Sequence, residues 1–84
     1  DCTVGHDVVM EDFVTLAPGV HVSGHVFIGR GAYIGTGATI INGTAAQPIV
    51  IGAGCVIAAG ACVTTSTAAN TLYAGVPAVW KKSF

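Results

Sequence analysis

The stretch "VGHDVV", residues 4 to 9, sets a histidine beside an aspartate in a chain almost without charge. Only seven of its 84 residues are Lys, Arg, Asp or Glu. A neutral imidazole suits a general base, and a neighbouring carboxylate orients it and stabilises the imidazolium. His6 and Asp7 are therefore candidates for a base and its partner. The plainer alternative is a polar corner of a structural repeat, with Asp7 bonded to local backbone. The pattern around the pair decides what positions it.

That pattern is a repeat of six. Aliphatic residues stand at Val4, Met10, Leu16, Val22, Ile28, Ile34 and Ile40, and the register resumes at Ile51, Ile57 and Val63. Glycine recurs three places on, at Gly19, Gly31, Gly37, Gly54 and Gly60. A helical period of 3.6 cannot hold that register over so many steps. Short strands joined by tight corners can, with glycine where the backbone turns sharply. Three hexapeptides make one triangular coil, with the aliphatic side chains inward and each coil stacked on the last.

The sequence thus predicts an all-β solenoid, a parallel β-helix of about four coils. Residues 4–21 form one coil and 22–39 the next. The third, read as 40–56, falls one short of three hexapeptides and has Ala46 where an aliphatic is due. That places a loop or corner distortion at "INGTAAQP", residues 41–48. The β-helix is expected over residues 1–64. Residues 65–84, with Tyr73, Gly75, Pro77 and Trp80, leave the pattern and read as a capping segment over the last rung. The phrases beginning at Gly29, Gly35 and Gly52 look like half of a dinucleotide fingerprint, but each ends in Ile and repeats with the hexapeptide. They are corners.

Composition excludes several partners. The chain is 52% hydrophobic with a net charge of −1, so no basic patch offers itself to nucleic acid. The longest apolar stretch, residues 49–63, is short of the roughly 18 to 20 residues that span a bilayer and is broken by glycines. No charged start with an apolar core marks a signal peptide, and the first residue is not Met. The expectation is a soluble, cytoplasmic protein that is part of a longer chain. Three cysteines without a CxxC fit a reduced compartment.

"VGHDVVMEDFVTLAPGVHVSGHVFIGRGAYIGTGATI", with the ending "LYAGVPAVWKK", resembles the hexapeptide-repeat acyltransferases, and within them the NeuD/PglD-like group of bacterial sugar acetyltransferases. The resemblance implies a left-handed β-helix, although connections between parallel strands are ordinarily right-handed. It also implies a homotrimer that transfers acetyl from acetyl-CoA to an amino or hydroxyl group of a sugar, often nucleotide-linked. His6 matches the family's general base, and Asp7 matches the acid thought to raise its basicity. Thr15 stands where several members have a histidine that contacts the cofactor.

Thr36 and Ala53 match positions that touch acetyl-CoA, largely through backbone. Each lies two places past an inward aliphatic, and they are expected to stack on one face. Lys81 and Lys82 are candidate charges for CoA phosphates. The family's N-terminal domain, which helps to hold the sugar, has no counterpart in these residues. Two other readings stay open: a non-catalytic trimeric β-helix that at most binds CoA, and an acetyltransferase with serine or an antibiotic as acceptor. No metal is expected, because His21 and His25 lack the spacing of a three-histidine zinc site. Both are read as solvated or at a subunit contact.

Overall fold

The computed structural model describes residues 2–84, all of them in strands, corners and turns. Twelve short strands wind into three sheets that form the faces of a prism, parallel throughout except for the last strand. The first face stacks β1 (Thr3–Val4), β4 (His21–Val22), β7 (Thr39–Ile40) and β10 (Cys62–Val63). The second stacks β2 (Val8–Met10), β5 (Val26–Ile28) and β8 (Ile49–Ile51). The third stacks β3 (Thr15–Leu16), β6 (Tyr33–Ile34) and β9 (Val56–Ile57), and continues into β11 (Thr71–Ala74) and β12 (Val79–Ser83). No helix among the described residues is long and apolar enough to cross a membrane.

Register explains the six-residue spacing. Val4 pairs with Val22 and Val22 with Ile40; Leu16 pairs with Ile34 and Ile34 with Ile57. The inward aliphatics therefore stack in columns down the prism axis. Ile28, Ile34, Ile40, Ile51 and Ile57 are wholly buried, with Val20, Val26, Val63 and Cys55 between them. Burying each large aliphatic contributes roughly 1.5–3 kcal/mol. Val4 and Met10 occupy the same columns on the first coil, but they have a coil on one side only and stay exposed.

The corners repeat as strictly as the core. A left-handed backbone recurs at one position of each corner: Gly19, Gly37 and Gly60 at one, Phe13, Gly31, Gly54 and Asn70 at the second, Asp7 and His25 at the third. Aspartate and histidine are among the few side chains that tolerate this region. The third corner therefore carries polar, outward-pointing residues where the others mostly carry glycine.

The third coil differs from the sequence reading. Strand pairing carries it from Ile40 to Val63, so it is longer than a regular coil rather than one position short. The surplus lies wholly at the third corner, which takes four steps from Val22 to Val26 but nine from Ile40 to Ile49. Segment 41–48 thus contains an insertion of five into a regular coil. Counting back from Ile51 in hexapeptides hides this, because Ile49–Ile51 pairs with Val26–Ile28 and not with a strand one repeat later.

After Val63 the chain makes a shorter turn, with Thr67 bridged to Ile51 and Leu72 paired with Val56. β12 then folds back antiparallel on β11, and its turn docks on the coil through Ala78 N–H donating to Cys62 O at 2.8 Å. Ile34 sits at the centre of the stack with no exposed surface. Ile34→Ala is expected to lower the unfolding free energy by about 2–5 kcal/mol. Urea denaturation checks this, and a loss below about 1 kcal/mol would contradict the stacked core.

Candidate functional site

The third corner holds the candidate base and its neighbours. On the first coil it runs from β1 to β2 through Gly5, His6 and Asp7; on the second it runs from β4 to β5 through Gly24 and His25. Backbone hydrogen bonds fix one over the other, with Gly5 N–H donating to Val22 O and His25 N–H to His6 O. A Cβ built on Gly5 would come within 2.7 Å of the Gly24 nitrogen, so only glycine permits this approach. Gly24 in turn lies beneath the His6 imidazole: a Cβ there would sit 3.4 Å from Cε1 and 3.5 Å from Nε2.

His6 Nδ1 and Asp7 Oδ2 are 2.9 Å apart. With the carboxylate ionised, Nδ1 carries the proton and donates it, which leaves the lone pair on Nε2. Asp7 takes the left-handed conformation, φ 58°, beside its partner. Its neighbour one coil on, His25, has the same φ and places Nε2 3.8 Å from Asp7 Oδ2. The two imidazoles meet edge to face, with centroids 5.4 Å apart. The Asp7 carboxylate is thus flanked by two rings, one in hydrogen-bond contact and one close.

This arrangement sets the charge of Asp7. The hydrogen bond from His6 holds its carboxyl below the ordinary carboxylate value, opposed by desolvation and helped by the smaller attractions of His25 and His6. Asp7 is therefore ionised throughout the neutral range.

His6, Asp7 and His25 are also the described residues whose donor atoms converge enough to share a cation, all within 4.8 Å of one another. His6 Nδ1 already bonds Asp7, so a cation held through that nitrogen would displace the hydrogen bond. His21, the other histidine considered from spacing, lies elsewhere and bonds Thr3 Oγ1 through Nδ1.

A cavity of about 230 Å³ opens beside the pair, lined by Asp7, Val9, His25, Phe27 and, from the insertion, Thr44, Ala45 and Pro48 over a floor of Val26. None of these but Asp7 stands out as a site residue from the sequence. His25 is half-buried against Asp7 rather than solvated. The signal for it is its place in the chain, one full coil of three hexapeptides after Asp7.

The cofactor candidates are not gathered around the pair. Thr15 lies in β3 and Lys81 in β12, both exposed on the third face. Thr36 and Ala53 do not stack on one another, contrary to the expectation from spacing. Thr36 lies at the corner between third and first faces, where its carbonyl accepts from Gly60 N–H. Ala53 lies at the corner between second and third faces, where its carbonyl accepts from Asn70 N–H. Both are exposed.

Parallel coils of this length, stacked in three faces, match the left-handed β-helix of hexapeptide-repeat sugar acetyltransferases, to which the chain is similar in structure and sequence. WeeI from Acinetobacter baumannii AYE superposes with a TM-score of 0.94 at 44% identity, over 95% of this chain and 38% of that one. A His-to-Asn variant of perosamine N-acetyltransferase from Caulobacter crescentus, in complex with CoA and GDP-perosamine, gives 0.89 at 30% identity, over 98% of this chain and 37% of that one. GDP-perosamine N-acetyltransferase of Escherichia coli O157:H7 is 47% identical over 47 residues, which make up 56% of this chain and 21% of that protein. The chain therefore spans less than two-fifths of the solved relatives. No protein-family model matches it.

The depressed Asp7 value has a sign that can be measured. A carboxyl that ionises more easily when folded adds stability above its unfolded value, and that stability is lost as the pH falls through the folded one. In a carboxyl-detected NMR titration, Asp7 is expected to titrate below the range of a free aspartate, and His6→Ala to move it back up. A midpoint indifferent to His6→Ala would show that the 2.9 Å contact does not form in solution.

Proposed function

We propose that the chain is the catalytic β-helix of an acetyltransferase that moves acetyl from acetyl-CoA to an amino group of a sugar, with His6 as general base. The observation that carries this reading is the His6–Asp7 hydrogen bond, which leaves Nε2 free on an exposed corner. The support from likeness is that two relatives bear the name perosamine N-acetyltransferase, and that one of these holds CoA and GDP-perosamine.

In the reaction the acceptor nitrogen forms a bond to the thioester carbonyl carbon while His6 Nε2 takes its proton. Asp7 stabilises the imidazolium so formed. The tetrahedral intermediate then breaks its carbon–sulfur bond, and CoA leaves as the thiol with a proton returned from His6.

CoA is placed in a groove between subunits of a homotrimer. Thr36 and Ala53 lie at different corners of one prism, so they contribute to a common groove only where two prisms meet. Exposed apolar residues on the prism, among them Val9, Met10, Tyr33 and Val50, give association a surface to bury. Lys81 is assigned to a CoA phosphate, and Thr15 to the cofactor on the third face. A cytoplasmic setting follows from the use of acetyl-CoA and is supported by three free cysteines.

Acetyl transfer to a panel of amino sugars, GDP-perosamine included, is the direct test. His6→Asn is expected to lower turnover about 10²–10⁴-fold, the ordinary contribution of a positioned base. Acetyl-CoA affinity should change little, and Asp7→Asn should cost less than His6→Asn. Near-normal turnover in a folded His6→Asn trimer would end the catalytic reading of the pair. The groove has its own test in Ala53→Trp, which is expected to abolish acetyl-CoA binding by calorimetry while leaving the trimer intact. Unchanged affinity would move the donor site elsewhere.

A further inference from the structure

We infer that the five-residue insertion at the third corner is the acceptor-specificity element of the site, and that the cavity it walls takes the ring of an amino sugar. The inference rests on the acetyl transfer proposed above and concerns which residues select the acceptor.

The insertion is the one break in an otherwise regular coil, and it falls at the corner that carries His6, Asp7 and His25. It is also a built structure. Gly43 N–H donates to Gly24 O and Ile49 N–H to His25 O, so both ends are tied to the coil that carries His25. Between them Thr44 N–H donates to Gln47 O at 3.0 Å, and Gln47 N–H donates back to Thr44 Oγ1 at 2.9 Å. Gly43 is held so closely that a Cβ would lie 2.5 Å from Ile49 N and 2.6 Å from His25 O. The loop is thus a fixed wall, prepared before any ligand arrives.

The cavity between this wall and the second face suits one class of ligand. Val9, Phe27, Ala45 and Pro48 make most of its surface apolar, which fits the carbon–hydrogen face of a pyranose ring. Its polar groups are Asp7, His25 and Thr44. The ionised Asp7 accepts a hydrogen bond from the N–H of a neutral acceptor amine, and His25 and Thr44 offer hydrogen bonds to ring hydroxyls. At about 230 Å³ it falls below the roughly 300–1,000 Å³ of pockets that enclose a whole drug-sized ligand. It holds one ring, and anything linked to that ring lies outside.

Ala45 is exposed and lines the cavity outside the stacked coil, so Ala45→Trp is expected to fill the space while leaving the coil intact. Kinetics with saturating acetyl-CoA and a varied amino sugar are expected to show the acceptor KM raised at least about tenfold, with the acetyl-CoA KM within about twofold. An unaltered chain that turns over while its acceptor KM ignores Ala45→Trp overturns the role of the insertion and leaves the transferase reading standing. No turnover by the unaltered chain with any amino sugar overturns the transferase reading instead. The cavity is then read directly by amide shifts on titration with glucosamine: shifts at Phe27, Thr44 and Ala45 that vanish in Ala45→Trp support it, and shifts confined elsewhere overturn it.

Discussion

Every feature of this molecule depends on backbone groups of one coil bonding to those of the next, at a repeat of three hexapeptides. A residue in such a ladder has a fixed neighbour one coil away, and what it can be is decided by that neighbour. Inward positions must be aliphatic or have their polar group paired, as the buried Thr67 is with Cys55 Sγ, because their columns have no room for an unpaired polar group. Corner positions must accept a left-handed backbone or a close approach. Where a corner is polar instead of glycine, its side chain is turned out of the coil and held there by the layer above. The His6–Asp7 pair is therefore a consequence of the ladder: Asp7 occupies the left-handed position of its corner, and His6 stands beside it over Gly24.

The same constraint explains why so exposed a pair is ordered. A surface ion pair usually contributes little, since two free side chains must be held in one geometry. Here His6 and Asp7 are adjacent in a rigid corner, and Gly24 leaves space that the imidazole fills. His25, stacked one coil above, closes the far side of the carboxylate at 3.8 Å. The arrangement depends on geometry already imposed by the coil, so the hydrogen bond orients the imidazole at little further entropic cost.

The fold is legible in the sequence because six-residue spacing has few structural solutions, and ten aliphatic positions agree on it. The site is legible only in part. His6 and Asp7 are adjacent in sequence, so their partnership needs no tertiary knowledge. Their tie to His25 needs the coil length, because only that places His25 directly over Asp7. Thr36 and Ala53 show how local spacing misleads: "two places past an inward aliphatic" describes all three corners alike. Equal spacing therefore suggests one face for two residues that the ladder puts on different corners. The break at 41–48 is visible in the spacing, but its length is not. A hexapeptide count cannot tell a coil with one position missing from a coil with five added until strand pairing shows that Ile49–Ile51 lies on Val26–Ile28.

The central claim is that a corner of the β-helix presents an imidazole whose tautomer is set by the neighbouring carboxylate. Nitrogen-15 NMR of the side chain, with ring nitrogens assigned to His6, tests it most directly. The account predicts that neutral His6 carries its proton on Nδ1 and has an unprotonated Nε2, and that Asp7→Asn weakens this preference. A neutral His6 protonated mainly on Nε2 in the folded chain would contradict it, because that ring could neither donate to Asp7 nor accept a proton from an acceptor amine.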